Sequence, residues 1–421
     1  MQHVKRSLNA WRNACAFLLF FTILGSVCLA QTVSLVATFN GANGQEPNSI
    51  MQGTDGNFYG TTSFGGAYQE GTIFQLTPSG SLTSLYSFCA QIIHTCSDGS
   101  VPQGAPLVQS SDGNFYGTTG TGGSSAANSG TMFQITPGGQ LTTLYNFTGF
   151  PTGGSIPLGL VQAPVGNFYG VTDQGGATCG SLGCGTFFKV TPQGDLTVLH
   201  NFCSQAGCTD GSYPRAVMLA ANGNFYGTTL AGGSSDQLCG TVFEITPGGH
   251  LTTLHRFNHS DGCEPLWGVT QGPDGSFYGT TSRGGSRGAG TVFRMNAAGT
   301  LTGFYSFCSQ TNCADGYLPN APLLQGSDGN LYGTTSLGGA GARSAGTIFR
   351  VTRLGTVTTL YSFCQEKACP EGGKPTGSLI QANDGNIYGV NEEGGSGGGA
   401  GSGTVFRLTL APAATLKRTR D

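Results

Sequence analysis

Five acidic residues recur at one position of this chain. Asp98, Asp210, Asp261, Asp315 and Glu371 are each followed by glycine and stand four residues before a proline. Two further copies of the position hold Asn43 and Gly153. Carboxylates repeated in this way are candidate ligands for a hard cation such as Ca²⁺, or acceptors for sugar hydroxyls. The competing account is conformational: Asp-Gly sets a turn through an Asx-type bond and recurs because its unit recurs. The turn account is the simpler of the two. The residue after the proline varies instead: Asn48, Gln103, Leu158, Arg215, Leu266, Asn320 and Thr376. Variation inside a fixed frame suits a rim that selects ligands, where Arg215, with Tyr213 and Trp267 nearby, would grip a polar or planar group. A rim that is merely solvated is the plain alternative.

Catalysis has weaker support. A nucleophile needs a base beside it, and His94, His200, His250, His255 and His259 form no motif. His259 with Asp261 and Glu264 is the densest ionisable cluster, and a charged loop accounts for it. The glycine-rich stretches lack the lysine and the helix of a phosphate-binding loop. A lyase or hydrolase remains the alternative to a non-catalytic binding protein, because a fold alone decides nothing about activity. No resident cofactor is expected beyond Ca²⁺ at the acidic positions.

These residues are positioned by internal repeats. The glycine of a "GNFYG"-like element falls at Gly56, Gly113, Gly166, Gly223, Gly275, Gly329 and Gly385. A "GTxF" element begins at Gly71, Gly130, Gly185, Gly240, Gly290, Gly346 and Gly403. An "LTTLYSF"-like element follows six times, and its seventh copy, "TVSLVATF", comes first in the chain at 32–39. Each unit reads as four strands. Strand A follows the recurrent proline, and a DG or NG turn leads into strand B, "NFYGTT". A glycine-rich loop joins B to strand C, "GTMFQIT", and a "PGG" or "PSG" turn gives strand D, "LTTLYNF", whose alternation marks a half-buried strand.

Four antiparallel strands repeated at intervals of roughly 55 residues describe propeller blades. The chain opens on a lone D strand and ends on A, B and C, so the first strand completes the last blade and hides both edges. The expected fold is an all-β, seven-bladed propeller over 31–410. Its A–B and C–D turns share one face, and the longer, variable B–C and D–A loops share the other. Binding residues tend to sit on loops held by a rigid scaffold, which makes the long-loop face the candidate surface. Gln52, Gln109, Gln162, Gln271, Gln325 and Gln381 recur near the end of strand A and suit hydrogen bonds between blades. Phe and Tyr of "NFYG" point to opposite sides of their strand and suit two inter-blade packing layers.

Residues 1–30 differ from the rest. Lys5, Arg6 and Arg12 precede an apolar run that ends near Ala30, the layout of a secretory signal peptide. Beyond it the chain has 15 Lys+Arg against 21 Asp+Glu, a formal charge of −6. That balance does not favour nucleic acid, whose phosphates require Lys and Arg. No later segment is long and apolar enough to span a membrane, and residues 411–421 form a short tail.

Twelve cysteines follow the leader. Four pairs are five apart: Cys179 with Cys184, Cys203 with Cys208, Cys308 with Cys313, and Cys364 with Cys369. Cys89 and Cys96 are seven apart. This spacing suits local disulfides in an oxidising compartment. Cys239, in a B–C loop, and Cys263, in a D–A loop, share a face and complete the set. Zinc fits poorly, because the C-x4-C pairs have no histidine partners. All twelve lie in the long loops or at their edges, on the candidate binding face.

The consensus "GTVFxxTPxGxLTTLYSFC…DGxxPxxxLxQxxDGNFYGTTxxGG" resembles the GloVer (Gloeo/Verruco) tandem repeat of secreted bacterial proteins. The resemblance covers nearly all of the chain after the leader. It implies export and propeller-like repeats, and it brings no catalytic residue with it. The tail "LAPAATLKRTRD" lacks the hydrophobic segment of the C-terminal anchors that many members carry. The expected protein is therefore a monomer, extracellular or periplasmic, that binds a glycan or protein without catalysis. A structural envelope or matrix role is the third reading.

Overall fold

The computed structural model describes residues 31–410 except 91–95, 104–105, 125–126, 152, 177–178, 234–238, 367 and 396–400. The expected leader, the tail and His94 lie outside the described residues. The described chain is a seven-bladed β-propeller, each blade a sheet in the order A-B-C-D. In blade 1 these strands are Gln45–Gln52, Phe58–Phe64, Thr72–Leu76 and Leu82–Ser87. Strand A is the innermost, packing on strand A of adjoining blades. In blades 2 and 6 it is broken into two short pieces, Ser100–Pro102 with Val108–Gln109 and Tyr317–Pro319 with Leu324–Gln325.

The ring closes as the phase of the repeats requires. Blade 7 takes A, B and C from Gly373–Gln381, Ile387–Glu393 and Thr404–Thr409, and its strand D is Thr32–Thr38. That pairing runs antiparallel from Thr32 opposite Thr409 to Thr38 opposite Thr404.

The octet "DGNFYGTT" (112–119) shows why each residue type recurs. Asp112 accepts from the backbone N–H of Asn114 (3.0 Å) and from the Tyr116 hydroxyl (2.8 Å), so one carboxylate ties the A–B turn to strand B. Gly113 has φ +83° with nothing near a would-be Cβ, so its need is conformational. The glycine of "FYG" answers to crowding instead. A Cβ on its counterpart Gly227 would lie 2.4 Å from the Ala216 carbonyl and 2.6 Å from the Phe243 ring. The second threonine buries its hydroxyl against the threonine of "GTxF": Thr119 meets Thr131 at 2.9 Å, and five other blades repeat the pair at 2.8–2.9 Å. In blade 7 Asn391 replaces that second threonine and donates to Thr404.

Two aromatic layers join the blades. Tyr of one blade stacks on Phe of the next, as in Tyr59–Phe115 (4.2 Å between centroids) and, across the closure, Tyr388–Phe58 (4.5 Å). The last Phe of each strand D packs on the "GTxF" Phe of the following blade at all seven seams, with centroids 5.1–5.4 Å apart. Such pairs add about 0.5–1.5 kcal/mol each beyond their area burial. Gln52, Gln109, Gln162, Gln271 and Gln381 bond to the neighbouring blade, for example Gln109 Oε1 accepting from the Thr54 N–H at 2.8 Å.

A third joint has no counterpart in the sequence reading. The residue before each recurrent proline is left-handed: Glu46, Val101, Ile156, Tyr213, Glu264, Leu318 and Lys374 have φ between +51° and +57°. Each donates its N–H to a carbonyl just before the "GTxF" glycine of the preceding blade, from Val101 to Glu70 through to Glu46 to Ser402. The conformation costs of order 1 kcal/mol per residue and is held by that bond.

All six expected disulfides are present. Cys89 is joined to Cys96, Cys179 to Cys184, Cys203 to Cys208, Cys308 to Cys313 and Cys364 to Cys369. Cys239 is joined to Cys263, between a B–C and a D–A loop. The second cysteine of three pairs also anchors its loop through the backbone. The Cys96 carbonyl accepts from the N–H groups of Gly99 and Gly123, both at 2.8 Å. The Cys313 carbonyl accepts from Gly316 and Gly339, both at 2.9 Å, and Cys208 repeats the arrangement with Gly211 and Gly233. Each of these carbonyls ties the D–A loop to the paired glycines that follow strand B. The disulfides suit an oxidising compartment. Among the described residues no helix is long and apolar enough to cross a membrane.

Candidate functional site

Strand A begins two or three residues before the recurrent proline in blades 1, 3, 4 and 7, and not after it as the sequence suggested, and the residue after the proline turns to the axis. Asn48, Gln103, Leu158, Arg215, Leu266, Asn320 and Thr376, one from each blade, line a single cavity of about 320 Å³ with Trp267, Ser63 and Gly377. It is the mouth of the central channel on the face of the D–A and B–C loops. Of the candidate binding residues, the structure brings Arg215, Trp267 and Asn320 together here.

The mouth is polar but held in shape. The Asn48 amide donates to Ser63 Oγ (2.9 Å) and to the Pro102 carbonyl (2.6 Å), and its Oδ1 accepts from the Thr61 hydroxyl (2.6 Å). Trp267 Nε1 donates to Asn320 Oδ1 at 2.8 Å, which fixes the indole across two blades. Arg215 reaches the preceding blade, where its Nη1 lies 3.2 Å from Asp173 Oδ1. Burial pushes the Asp173 carboxyl above its usual range, and the Arg215 cation offsets this only in part. The mouth therefore offers amide groups, one cation, whose partner Asp173 lies on the neighbouring blade, and one indole.

Asp173 and Ser63 were missed by sequence reasoning. They share one position, the sixth from the start of strand B, which also holds Gly120, Leu230, Ser282, Ser336 and Glu392. It varies among the copies as the post-proline position does, and that variation was the available signal. Glu392 is likewise raised, first by burial and then by Glu46, with Lys374 opposing.

The acidic positions correct the sequence reading: they do not ring the channel. Asp98, Asp210 and Asp315 are 1%, 0% and 1% exposed and Glu371 is 9% exposed, each turned back into its own D–A loop. Asp210 accepts from the N–H and hydroxyl of Ser204 (2.9 and 2.8 Å) and the N–H of Gln205 (3.2 Å). Asp315 does the same with Ser309 and Gln310. The outer strand D supplies one more partner each time. Tyr86, Tyr305 and Tyr361 donate to Asp98, Asp315 and Glu371, while His200 and His255 lie 3.4 and 3.2 Å from Asp210 and Asp261. Strand D is the outermost strand, so a carboxylate that pairs with it lies away from the axis. Among the described residues no group of three carboxylates lies close enough to share an ion, so a Ca²⁺ ring has no structural basis at these positions.

Burial alone would raise Asp210 and Asp315. The bonds from His200, Ser204 and Gln205, and from Tyr305, Ser309 and Gln310, outweigh it and hold both carboxyls below the usual value. Tyr213 serves the inter-blade joint through its N–H to the Cys184 carbonyl (2.9 Å) and does not line the mouth.

The cysteines also stand apart from the site, although the sequence reading set them on the binding face. None of them lines the mouth: Cys96 and Cys313 are half-buried loop staples, as are Cys203 and Cys308, and Cys89, Cys364 and Cys369 are buried. The sulfurs of Cys179, Cys203 and Cys208 lie close together, as do those of Cys239 and Cys263 with His259, but every one of these cysteines is in a disulfide.

Comparison with solved structures finds puromycin hydrolase, with a TM-score of 0.53 at 12% identity, covering 86% of this chain and 53% of that one. A candidate 6-phosphogluconolactonase of Bacteroides fragilis gives 0.47 at 17% identity, covering 86% and 88%. The aldose sugar dehydrogenase of Streptomyces coelicolor gives 0.41 at 13% identity, covering 90% and 98%. The likeness to puromycin hydrolase is one of fold alone, and this chain spans about half of that protein's length. No curated protein matches. A model of the Gloeobacter/Verrucomicrobia repeat matches residues 25–238, 124–339 and 213–419. These stretches together take in every blade, and the chain belongs to the Gloeobacter/Verrucomicrobia repeat family.

Proposed function

We propose that this protein is an exported, non-catalytic propeller that binds an extracellular glycan, whose end enters the channel mouth on the long-loop face. The observation that carries this reading is the convergence of seven variable side chains, one per blade, on one cavity. Gln103 and Asn320 supply amides, Arg215, paired with Asp173 of the neighbouring blade, supplies a charged donor, and Trp267 supplies a ring face. Sugar hydroxyls need this mixture, because each both donates and accepts. Export is supported by the leader-like residues 1–30 and by six disulfides.

A glycan array probed with the chain from Gln31 onward tests this. At least one class of glycan is expected to bind, and Arg215→Ala is expected to weaken it roughly 10- to 100-fold, the worth of a hydrogen bond to a charged group. Binding to no glycan, or an Arg215→Ala variant that binds as well as the parent, would sink the reading.

One observation favours a second reading. A raised carboxyl at Asp173, beside a channel mouth, is the kind of group that holds a proton for general acid catalysis. On that reading the protein is a hydrolase or lyase, and incubation with polysaccharides yields products that the Asp173→Asn variant does not form.

A further inference from the structure

A second cavity of about 200 Å³ adjoins the mouth farther along the A strands, and Leu158, Arg215 and Trp267 border both. The lower chamber is walled mainly by hydrocarbon: Val161, Val217, Met218 and Val269 from blades 3 to 5, with Pro322 from blade 6. Ser378 of blade 7 is its main polar side chain below Arg215. An apolar cavity of ~150 Å³ stays dry and accepts a benzene-sized guest, because water inside it finds too few partners. The two adjoining chambers thus ask for different chemistry on either side of Leu158, Arg215 and Trp267.

We infer that the channel takes an amphipathic ligand: a hydroxyl-rich head group held at the mouth, carrying a short acyl or alkyl arm that fills the apolar chamber beneath it. The inference rests on the glycan-binding reading of the mouth and adds the chemical class of what is attached to the sugar. A glycan decorated with short acyl or alkyl groups satisfies both chambers, whereas a bare sugar leaves the lower one empty. Each methylene moved from water into the chamber gains ~0.8 kcal/mol, which is about a fourfold gain in affinity.

The test is calorimetry on the full chain from Gln31 onward with methyl, butyl and hexyl β-D-glucosides and with 1-hexanol, each as a pure probe. The expected result is a gain of about fourfold per methylene until the chamber is full, with 1-hexanol competing for the arm's position. Ser378→Phe is expected to fill the chamber and flatten the chain-length series. Ser378→Leu, a smaller intrusion, gives a partial flattening should the Phe variant fold poorly. Affinity independent of chain length, or a series left unchanged in both Ser378 variants, overturns the inference. The two readings fail separately. Sugars that bind without any gain from the arm leave the mouth reading standing and remove this one. A chain-length series with 1-hexanol competition, but no binding of any arm-free glycan, removes the mouth reading and upholds the apolar chamber.

Discussion

Deletion of residues 32–39 is expected to cost the propeller its cooperative fold. Those residues supply the whole of strand D in blade 7, paired with Thr404–Thr409. They also supply Phe39, 1% exposed and packed edge-on against Phe74 of blade 1 at 5.1 Å. Losing a buried Phe alone costs ~3–5 kcal/mol, against a total stability of ~5–15 kcal/mol for a typical domain. The deletion also strips the partner from strand C of blade 7, whose Val405, Phe406 and Leu408 are fully buried. An unpaired apolar edge is a template for pairing between chains. The expected outcome is a broad, early thermal transition, with oligomers on size-exclusion chromatography. Moving the same segment to follow residue 410 is expected to restore a sharp transition and the parent's elution, because the ring needs the strand and not its place in the chain. A truncated chain that elutes as the parent does, with an unchanged Tm, would contradict the closure.

The second large effect lies at the buried carboxylates. Asp210→Ala removes the acceptor of two backbone N–H groups and the Ser204 hydroxyl at once. The donors lie on exposed Ser204 and Gln205 and can turn to water, so the loss expected is that of hydrogen bonds to one charged group, ~1.5–3 kcal/mol, and Asp315→Ala is expected to match it. The pH dependence has a definite sign. Both carboxyls are lowered in the fold, so the unfolded chain binds their protons more readily than the folded one. Their stabilisation is present above the ordinary carboxyl pKa of about 3.8 and is lost as pH falls through the lower folded value. Thermal melts from pH 7 to pH 2 are expected to show this acid limb in the parent and a shallower one in Asp210→Asn. Ligand affinity at neutral pH is expected to stay unchanged in Asp210→Asn. A loss of binding in that variant would return the acidic positions to the functional site.

The repeats made the architecture legible. Blade count, strand order, N-terminal closure, the inter-blade glutamines and all six cysteine pairs follow from spacing and phase, because each is a one-dimensional property of the chain. The site was legible in part. The post-proline residues stood out through their variation, and Arg215, Trp267 and Asn320 do meet. The acidic positions misled because recurrence suggested a ring. Their direction depends on Tyr or His in strand D, some ten residues earlier, and on a loop that folds back over them. The backbone anchors at Cys96 and Cys313 went unread for a related reason, since a carbonyl that gathers two glycine N–H groups leaves no mark on side-chain chemistry. Asp173 escaped notice for the opposite reason. It is one of two acids, with Glu392, at a position that otherwise varies, and only the tertiary approach of Arg215 from the next blade gives it a role. The left-handed residues before the prolines were also invisible, since Glu46, Val101, Tyr213 and Lys374 share no side-chain chemistry.

Trp267 offers the most direct measurement of the central claim. The chain has two tryptophans, and the other, Trp11, lies in the expected leader. A chain that begins at Gln31 therefore carries one indole, and it sits at the channel mouth, hydrogen-bonded to Asn320. Tryptophan emission, followed while an oligosaccharide panel is titrated in, reads that site alone. The expected result is a saturable change in emission for at least one class of glycan, lost in Arg215→Ala and retained in Asp210→Asn. Binding detected by calorimetry with no change in Trp267 emission would place the ligand elsewhere and contradict the account.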